Sequence, residues 1–186
     1  MAKFDEQLPE TDPIGVARAI VFRKLAVSAK TRAELAEILK SRNIPTDIAS
    51  AVLDRFSEVG LIDDQLFANN YAKSRHQHRG FAARAIKYQL ANKGVSQQEI
   101  DSALSDITPE VELQRAIKLA EKKLESIRNL DSTKQLNRVV DFLARKGYGG
   151  AIAYQAAKQV IENIESTIVM ETLSELENED YQVSSL

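Results

Sequence analysis

The sequence predicts an all-α protein built as a tandem array of three three-helix repeats, elongated and curved. Three observations lead there. Only 7 Gly and 4 Pro interrupt 186 residues dominated by Ala, Leu, Lys, Glu and Gln, the residues that lose least on entering a helix. Apolar residues recur at helical spacing, and no alternating apolar and polar run asks to be a strand. Finally, one short pattern occurs three times, as Leu39 to Ile44, Leu90 to Val95 and Leu143 to Tyr148, at spacings of 51 and 53 residues.

The repeated pattern explains itself as a helix end. Four residues before each leucine stands another apolar residue, Leu35, Ile86 and Val139, so each helix closes on two stacked core positions. Arg42, Lys93 and Lys146 then fall in the last turn, facing the negative end of the helix dipole. Asn43, Gly94 and Gly147 are residue types that accept the left-handed conformation ending a helix.

Nine helices follow in order, over 14–29, 31–42, 45–59, 64–78, 80–93, 96–106, 109–128, 132–146 and 149–173. Thr31 with Glu34 makes a capping box for the second, and Asp63 and Asp64 cap the fourth. Ser96 with Glu99 is a second capping box, with Val95 and Ile100 as its hydrophobic staple. Thr108 before Pro109 opens the seventh helix, and Asp131 or Ser132 caps the eighth. The core stripes are Ile48, Val52, Phe56 and Val59; Phe67 and Tyr71; Ala82, Ile86 and Leu90; and Ile152, Ala156, Val160, Ile164 and Ile168. The division is therefore an acidic tail at 1–13, repeats at 14–62, 63–107 and 108–173, and an acidic tail at 174–186 expected to fray. A unit of about 50 residues is marginal alone, so neighbouring repeats should share interfaces.

Charge excludes some functions and suggests another. The net charge is −2, yet residues 65–98 hold six Lys or Arg and no acid, while 162–186 hold seven acids and no base. The basic middle is a footprint for an anionic partner, set against the simpler reading of a solvated helix pair. There is no cysteine, which removes thiol nucleophiles, disulfides and Cys-based metal sites. His76 and His78 lie about 200° apart on a helix, cannot easily share a metal, and read as surface residues. The stretch Gly147, Tyr148, Gly149, Gly150 lacks the Gly-Lys-Ser/Thr of a phosphate loop. No nucleophile has a nearby base, so the reading is a binding protein, not an enzyme, with no cofactor or metal. No apolar run approaches the ~20 residues of a membrane span, and residues 1–13 lack the features of a signal peptide, so a cytoplasmic location is expected.

The middle of the chain carries a more specific signal. Asp64, Phe67, Ala68, Tyr71 and Arg75 are followed by Arg79, Gly80, Arg84, Ile86, Gln89, Leu90, Lys93, Gly94 and Val95 at fixed spacing. Together with Thr31 to Leu35 and with Phe56, Gly60, Leu61, Ile62, Asp63, this resembles the RecX family, bacterial regulators of the RecA recombinase, from about Ala17 to Ile161. Gln89 stands where an acidic residue is expected, and Tyr71 where related sequences often carry Trp. The resemblance implies a protein that binds RecA and the RecA–DNA filament, lodges in the filament groove, limits filament growth and lowers RecA's ATP turnover. Such a protein would modulate DNA repair, homologous recombination and the SOS response, and it is expected to be a monomer. Whether it also touches DNA weakly and directly stays open.

On this reading the partner contact is carried by Arg75, Arg79, Arg84, Lys87 and Lys93, while Asp64, Phe67, Tyr71, Gly80, Ile86, Leu90 and Gly94 are structural. The alternative is a helix-turn-helix transcription regulator, because residues 31–63 read acceptably as that motif. Against it stand the absence of a β-hairpin wing and the charge balance of the first repeat.

Overall fold

The computed structural model describes residues 12–183, and the side chains of that span except at 168, 171, 172 and 174–183. Nearly all of the expected N-terminal tail, and the side chain of Ile168, lie outside the described residues. Within them the chain forms nine α-helices and no strand: α1 Pro13–Val27, α2 Arg32–Lys40, α3 Thr46–Glu58, α4 Asp64–Gln77, α5 Ala83–Asn92, α6 Gln97–Leu104, α7 Pro109–Glu125, α8 Ser132–Arg145 and α9 Gly150–Val183.

Local chemistry sets most boundaries. Both capping boxes form, at Thr31 with Glu34 and at Ser96 with Glu99. Thr108 caps α7, and Asp131 rather than Ser132 caps α8. The three recurring helix ends close alike: Asn43, Gly94 and Gly147 have φ of 59°, 76° and 94°. In each, the next residue's N–H bonds back to the leucine carbonyl at 3.2 Å, Ile44 to Leu39, Val95 to Leu90 and Tyr148 to Leu143. The six apolar residues of these ends, Leu35, Leu39, Ile86, Leu90, Val139 and Leu143, are each 0% exposed. Burial on that scale is worth about 1.5–3 kcal/mol per side chain.

Several expectations need correction. α5 begins at Ala83, not 80, because Gly80 takes a positive φ of 66° and Phe81 turns back to donate its N–H to the Arg75 carbonyl. Val59 is 52% exposed: it is the C-cap of α3, rotated off the helical stripe. Ile164 is also exposed, since the packed part of α9 ends at Val160 and the half-buried Ile161. α9 continues to Val183, where fraying was expected; residues 171–183 contain no Gly or Pro to stop it. His76 is buried, not a surface residue, because it follows Ala68 and Ala72 at four-residue steps along the buried side of α4. Its Nδ1 lies 3.0 Å from the Phe81 carbonyl.

The chain separates into two compact units, Met1–Ser74 with Ile86–Ser105, and Arg75–Ala85 with Asp106–Leu186. The first has a core of Ala17, Val21, Leu35, Leu39, Ala49, Val52, Leu53 and Ile62. The second is centred on Ala116, Ala120, Leu124, Val139, Leu143, Ala153, Ala156 and Val160, and includes Ala82. The division cuts α4 and α5 rather than falling between the expected repeats.

Candidate functional site

Each unit contains a joint at which the start of one middle helix meets the end of the next. In the first unit the Thr31 hydroxyl donates to the Lys93 carbonyl at 2.6 Å, and the Arg32 N–H donates to Asp64 Oδ1 at 2.9 Å. Lys93 Nζ pairs with Glu34 Oε1 at 2.6 Å. It also lies 5.6 and 5.7 Å from the ring centroids of Phe67 and Tyr71, which are stacked with centroids 5.8 Å apart. The Tyr71 hydroxyl donates to Gln89 Oε1 at 2.9 Å. Asp63 caps α4 by accepting from the Leu66 N–H, so Asp64 is released from the expected cap and serves α2 instead.

The ionisation of this joint follows its contacts. Burial pushes the Glu34 carboxyl up, but the Lys93 ammonium, the Thr31 N–H and the Lys30 charge outweigh it and hold the group below its ordinary value. At Asp64 burial wins: it raises the carboxyl, helped by Glu99 and Asp63, against the lowering influence of the Arg32 N–H and charge.

In the second unit the same positions are met differently. The Ala82 N–H donates to the Lys146 carbonyl at 3.0 Å, and the Ala83 N–H to Glu112 Oε1 at 2.6 Å. Lys146 Nζ donates to the Arg79 carbonyl at 2.8 Å and lies 4.7 Å from the Phe81 ring centroid. The Arg75 guanidinium lies 6.0 Å from the same ring, and Arg115 donates to the Gln77 carbonyl. Four cationic side chains thus gather on the turn at 75–85: Arg75, Arg79, Arg115 and Lys146. Arg115 and Lys146 are met there by carbonyls and a ring, which leave positive charge in place where a carboxylate would cancel it. Glu112, which reaches this turn, is engaged on the Ala83 N–H.

Of the five expected contact residues, Arg75, Arg79 and Arg84 fall in this unit; Lys87 and Lys93 fall in the first. Arg79 and Arg84 are exposed, and no carboxylate among the described residues pairs with either. Arg84 occupies the first turn of α5, the end where the helix dipole disfavours a cation. Lys87 pairs with Asp101 at 3.0 Å, and Lys93 is engaged within its joint. Both acids lie outside the acid-free stretch, so counting charge along the chain overstated the band. Arg115 and Lys146 were missed for the converse reason: they come from 30 or more residues away. Of the group read as structural, Ile86 and Leu90 are 0% exposed and Gly80 is buried. Among the described residues no cluster of three His, Cys, Asp or Glu could hold a metal ion, and no helix is long and apolar enough to cross a membrane.

Comparison with known proteins agrees along the chain. Models of the first, second and third three-helix domains of RecX match residues 17–56, 63–104 and 110–157. Regulatory protein RecX of Streptomyces coelicolor is 44% identical over 83% of this chain and 82% of its own length. That of Mycolicibacterium smegmatis is 43% identical over 79% and 80%. A crystal structure of RecX from Lactobacillus salivarius superposes with a TM-score of 0.72, covering 80% of this chain and 97% of that one at 22% identity, a likeness of fold.

Proposed function

The chain belongs to the RecX family of regulatory proteins, and from that premise we propose that it binds the RecA recombinase and its DNA filament, restrains filament growth and lowers RecA's ATP turnover. It would act in the cytoplasm, as a regulator of repair and recombination. One observation supports placing the contact on the 75–85 turn: Arg75, Arg79, Arg115 and Lys146 gather there, Arg115 and Lys146 on carbonyls and a ring, with Arg84 exposed nearby. Guanidinium groups suit the carboxylates of an acidic protein surface and the phosphates of bound DNA alike. Lys87 and Lys93 contribute less, since Asp101 and Glu34 already answer their charge.

The test is DNA-dependent ATP hydrolysis by RecA, with this protein titrated in well below one copy per RecA. Inhibition is expected at that ratio. Arg79→Glu with Arg84→Glu should weaken it by on the order of tenfold while helicity is kept. Unchanged inhibition in the double variant would remove the contact from this turn. The transcription-regulator reading gains no support here, because α4 begins at Asp64 where a β-hairpin wing would follow.

A further inference from the structure

A buried ionisable side chain stands at the foot of the cationic turn. His76 is 6% exposed, and its Nδ1 lies 3.0 Å from the Phe81 carbonyl oxygen. A carbonyl only accepts, so the ring carries its proton on Nδ1 and donates it there. Burying a polar ring is tolerable when it is bonded, and this bond reaches across the loop that follows α4.

That loop is held from both sides of Phe81. Its N–H donates to the Arg75 carbonyl at 3.0 Å, while its own carbonyl accepts from the His76 ring. On either side, the Gly80 N–H donates to the His76 carbonyl at 3.2 Å and the Ala82 N–H to the Lys146 carbonyl at 3.0 Å. So fixed, Phe81 places its ring 4.7 Å from Lys146 Nζ and 6.0 Å from the Arg75 guanidinium, and Lys146 Nζ in turn reaches the Arg79 carbonyl at 2.8 Å. Three cations of the turn are therefore tied to the backbone position of one residue.

The first unit shows what histidine adds. Six residues before the joint residue Ala82 stands His76; six before the joint residue Thr31 stands Leu25, an apolar residue packed against the core of its unit. α1 leaves through an extended Ser28, where α4 is followed by the left-handed Gly80. An aliphatic side chain fills the place in one unit, so the contribution of the ring in the other is its donor.

We infer that His76 is a positioning residue of the cationic turn: by donating from Nδ1 to the Phe81 carbonyl it fixes the loop that carries Arg79 and the ring shared by Arg75 and Lys146. This role rests on the reading that the turn contacts RecA. Contact then depends on a side chain too buried to form it, because cations held in place beforehand lose less freedom on binding.

Three full-length variants test the role: His76→Leu, which fills the site without a donor; His76→Asn, whose side-chain N–H stands as far from the backbone as Nδ1; and Arg79→Glu with Arg84→Glu, which strikes the contact directly. Each is read by half-inhibition of RecA's DNA-dependent ATP hydrolysis, at a temperature where circular dichroism shows it folded, and by nuclear magnetic resonance. At about pH 8, where a histidine ring is ordinarily uncharged, the parent's ring nitrogen shifts should report the Nδ1–H tautomer. In His76→Leu the amide signals of Gly80, Phe81 and Ala82 should move while those of Ala120 and Leu143 stay. The concentration for half-inhibition should rise about two- to tenfold, the range one hydrogen bond spans. His76→Asn should recover most of both changes. An Nε2–H tautomer in the parent, unmoved signals at 80–82 in His76→Leu, or an Asn variant no better than the Leu one would each refute the role. So would parent-like inhibition by His76→Leu beside weakened inhibition by the Arg79, Arg84 variant. If both of those inhibit like the parent although the signals at 80–82 move, the contact itself lies elsewhere, and the positioning role falls with it by a pattern unlike the others.

Discussion

The joint at Thr31 and Lys93 and the joint at Ala82 and Lys146 do the same mechanical work with different chemistry. In both, the start of a middle helix bonds to the carbonyl of a lysine that ends another middle helix. In both, a carboxylate from a following helix, Asp64 or Glu112, accepts the first N–H of that middle helix. The lysine side chains part company. Lys93 meets Glu34 and is neutralised; Lys146 meets the Arg79 carbonyl and keeps its charge. One position in a repeat can thus close a joint by an ion pair, or close it by a neutral acceptor and leave a cation for a partner. The second joint coincides with the cationic turn for that reason.

The shared part of the comparison breaks hardest at the glycines. Gly94→Ala should cost about 3 kcal/mol, combining left-handed strain of about 1–2 kcal/mol with crowding against Ala33. Gly147→Ala should behave alike through Ala85. Gly60→Ala isolates the strain, since Gly60 has φ 71° with nothing within 4 Å of the added Cβ, and should cost about 1 kcal/mol. Urea denaturation of the three variants checks this, and equal costs at all three positions would show that the close approach is not what demands glycine at the joints.

The divergent part is tested by exchanging losses. Glu34 and Lys93 side chains are 24% and 28% exposed, so Lys93→Met leaves a half-buried carboxylate without its ion pair and should cost about 1–2 kcal/mol. RecA inhibition should then be retained at temperatures where the variant is folded. Lys146→Met removes a hydrogen bond to a neutral carbonyl, should cost about half as much, and should weaken RecA inhibition. Denaturation and the ATP-hydrolysis titration, run on both variants, give that crossed pattern or refute it.

The reach of the sequence divides along the same line. What was legible is local: the leucine pairs, the left-handed caps at 43, 94 and 147, and both capping boxes, all set by residues within one or two turns. The exposed Val59 and the late start of α5 at Ala83 show where a stripe is extended past the turn that ends it. The site was legible only in part, because a cation's availability depends on what the fold brings beside it. Asp101 answers Lys87, and Glu34 answers Lys93 from 59 positions away. Arg115 and Lys146 join Arg79 across comparable separations, and helical periodicity carries no record of either.

A smaller effect is expected at Tyr148, which follows Gly147 where Ile44 and Val95 stand at the other two helix ends. It is 3% exposed, and among the described residues its hydroxyl has no hydrogen-bond partner. Burial, aided by the Glu112 charge and opposed by Arg115, pushes its ionisation up to about 12. Tyr148→Phe makes this position apolar like the other two and should stabilise by up to about 1 kcal/mol, the desolvation cost of an unmade hydrogen bond. A destabilisation in urea would mean that the hydroxyl is satisfied in solution.

The smallest effect concerns acid, and it separates the two carboxylates of the first joint by sign. Glu34 is held below its ordinary 4.5, so it binds fewer protons folded than unfolded near that pH. Its contribution to stability is present above 4.5 and is lost as pH falls through the folded value. Asp64 is raised above its ordinary 3.8, so its contribution is full below 3.8 and is lost as pH rises through the folded value. The two oppose each other around pH 4. Asp64→Asn keeps an oxygen to accept the Arg32 N–H and removes the opposing titration, so stability should fall more steeply on acidification than in the parent. Glu34→Gln leaves only the Asp64 dependence at this joint and should make the fall shallower. Denaturation midpoints measured between pH 3.5 and 6 should therefore diverge to opposite sides of the parent, and a shift of both variants to one side would mean that the joint is not closed by the Glu34–Lys93 ion pair.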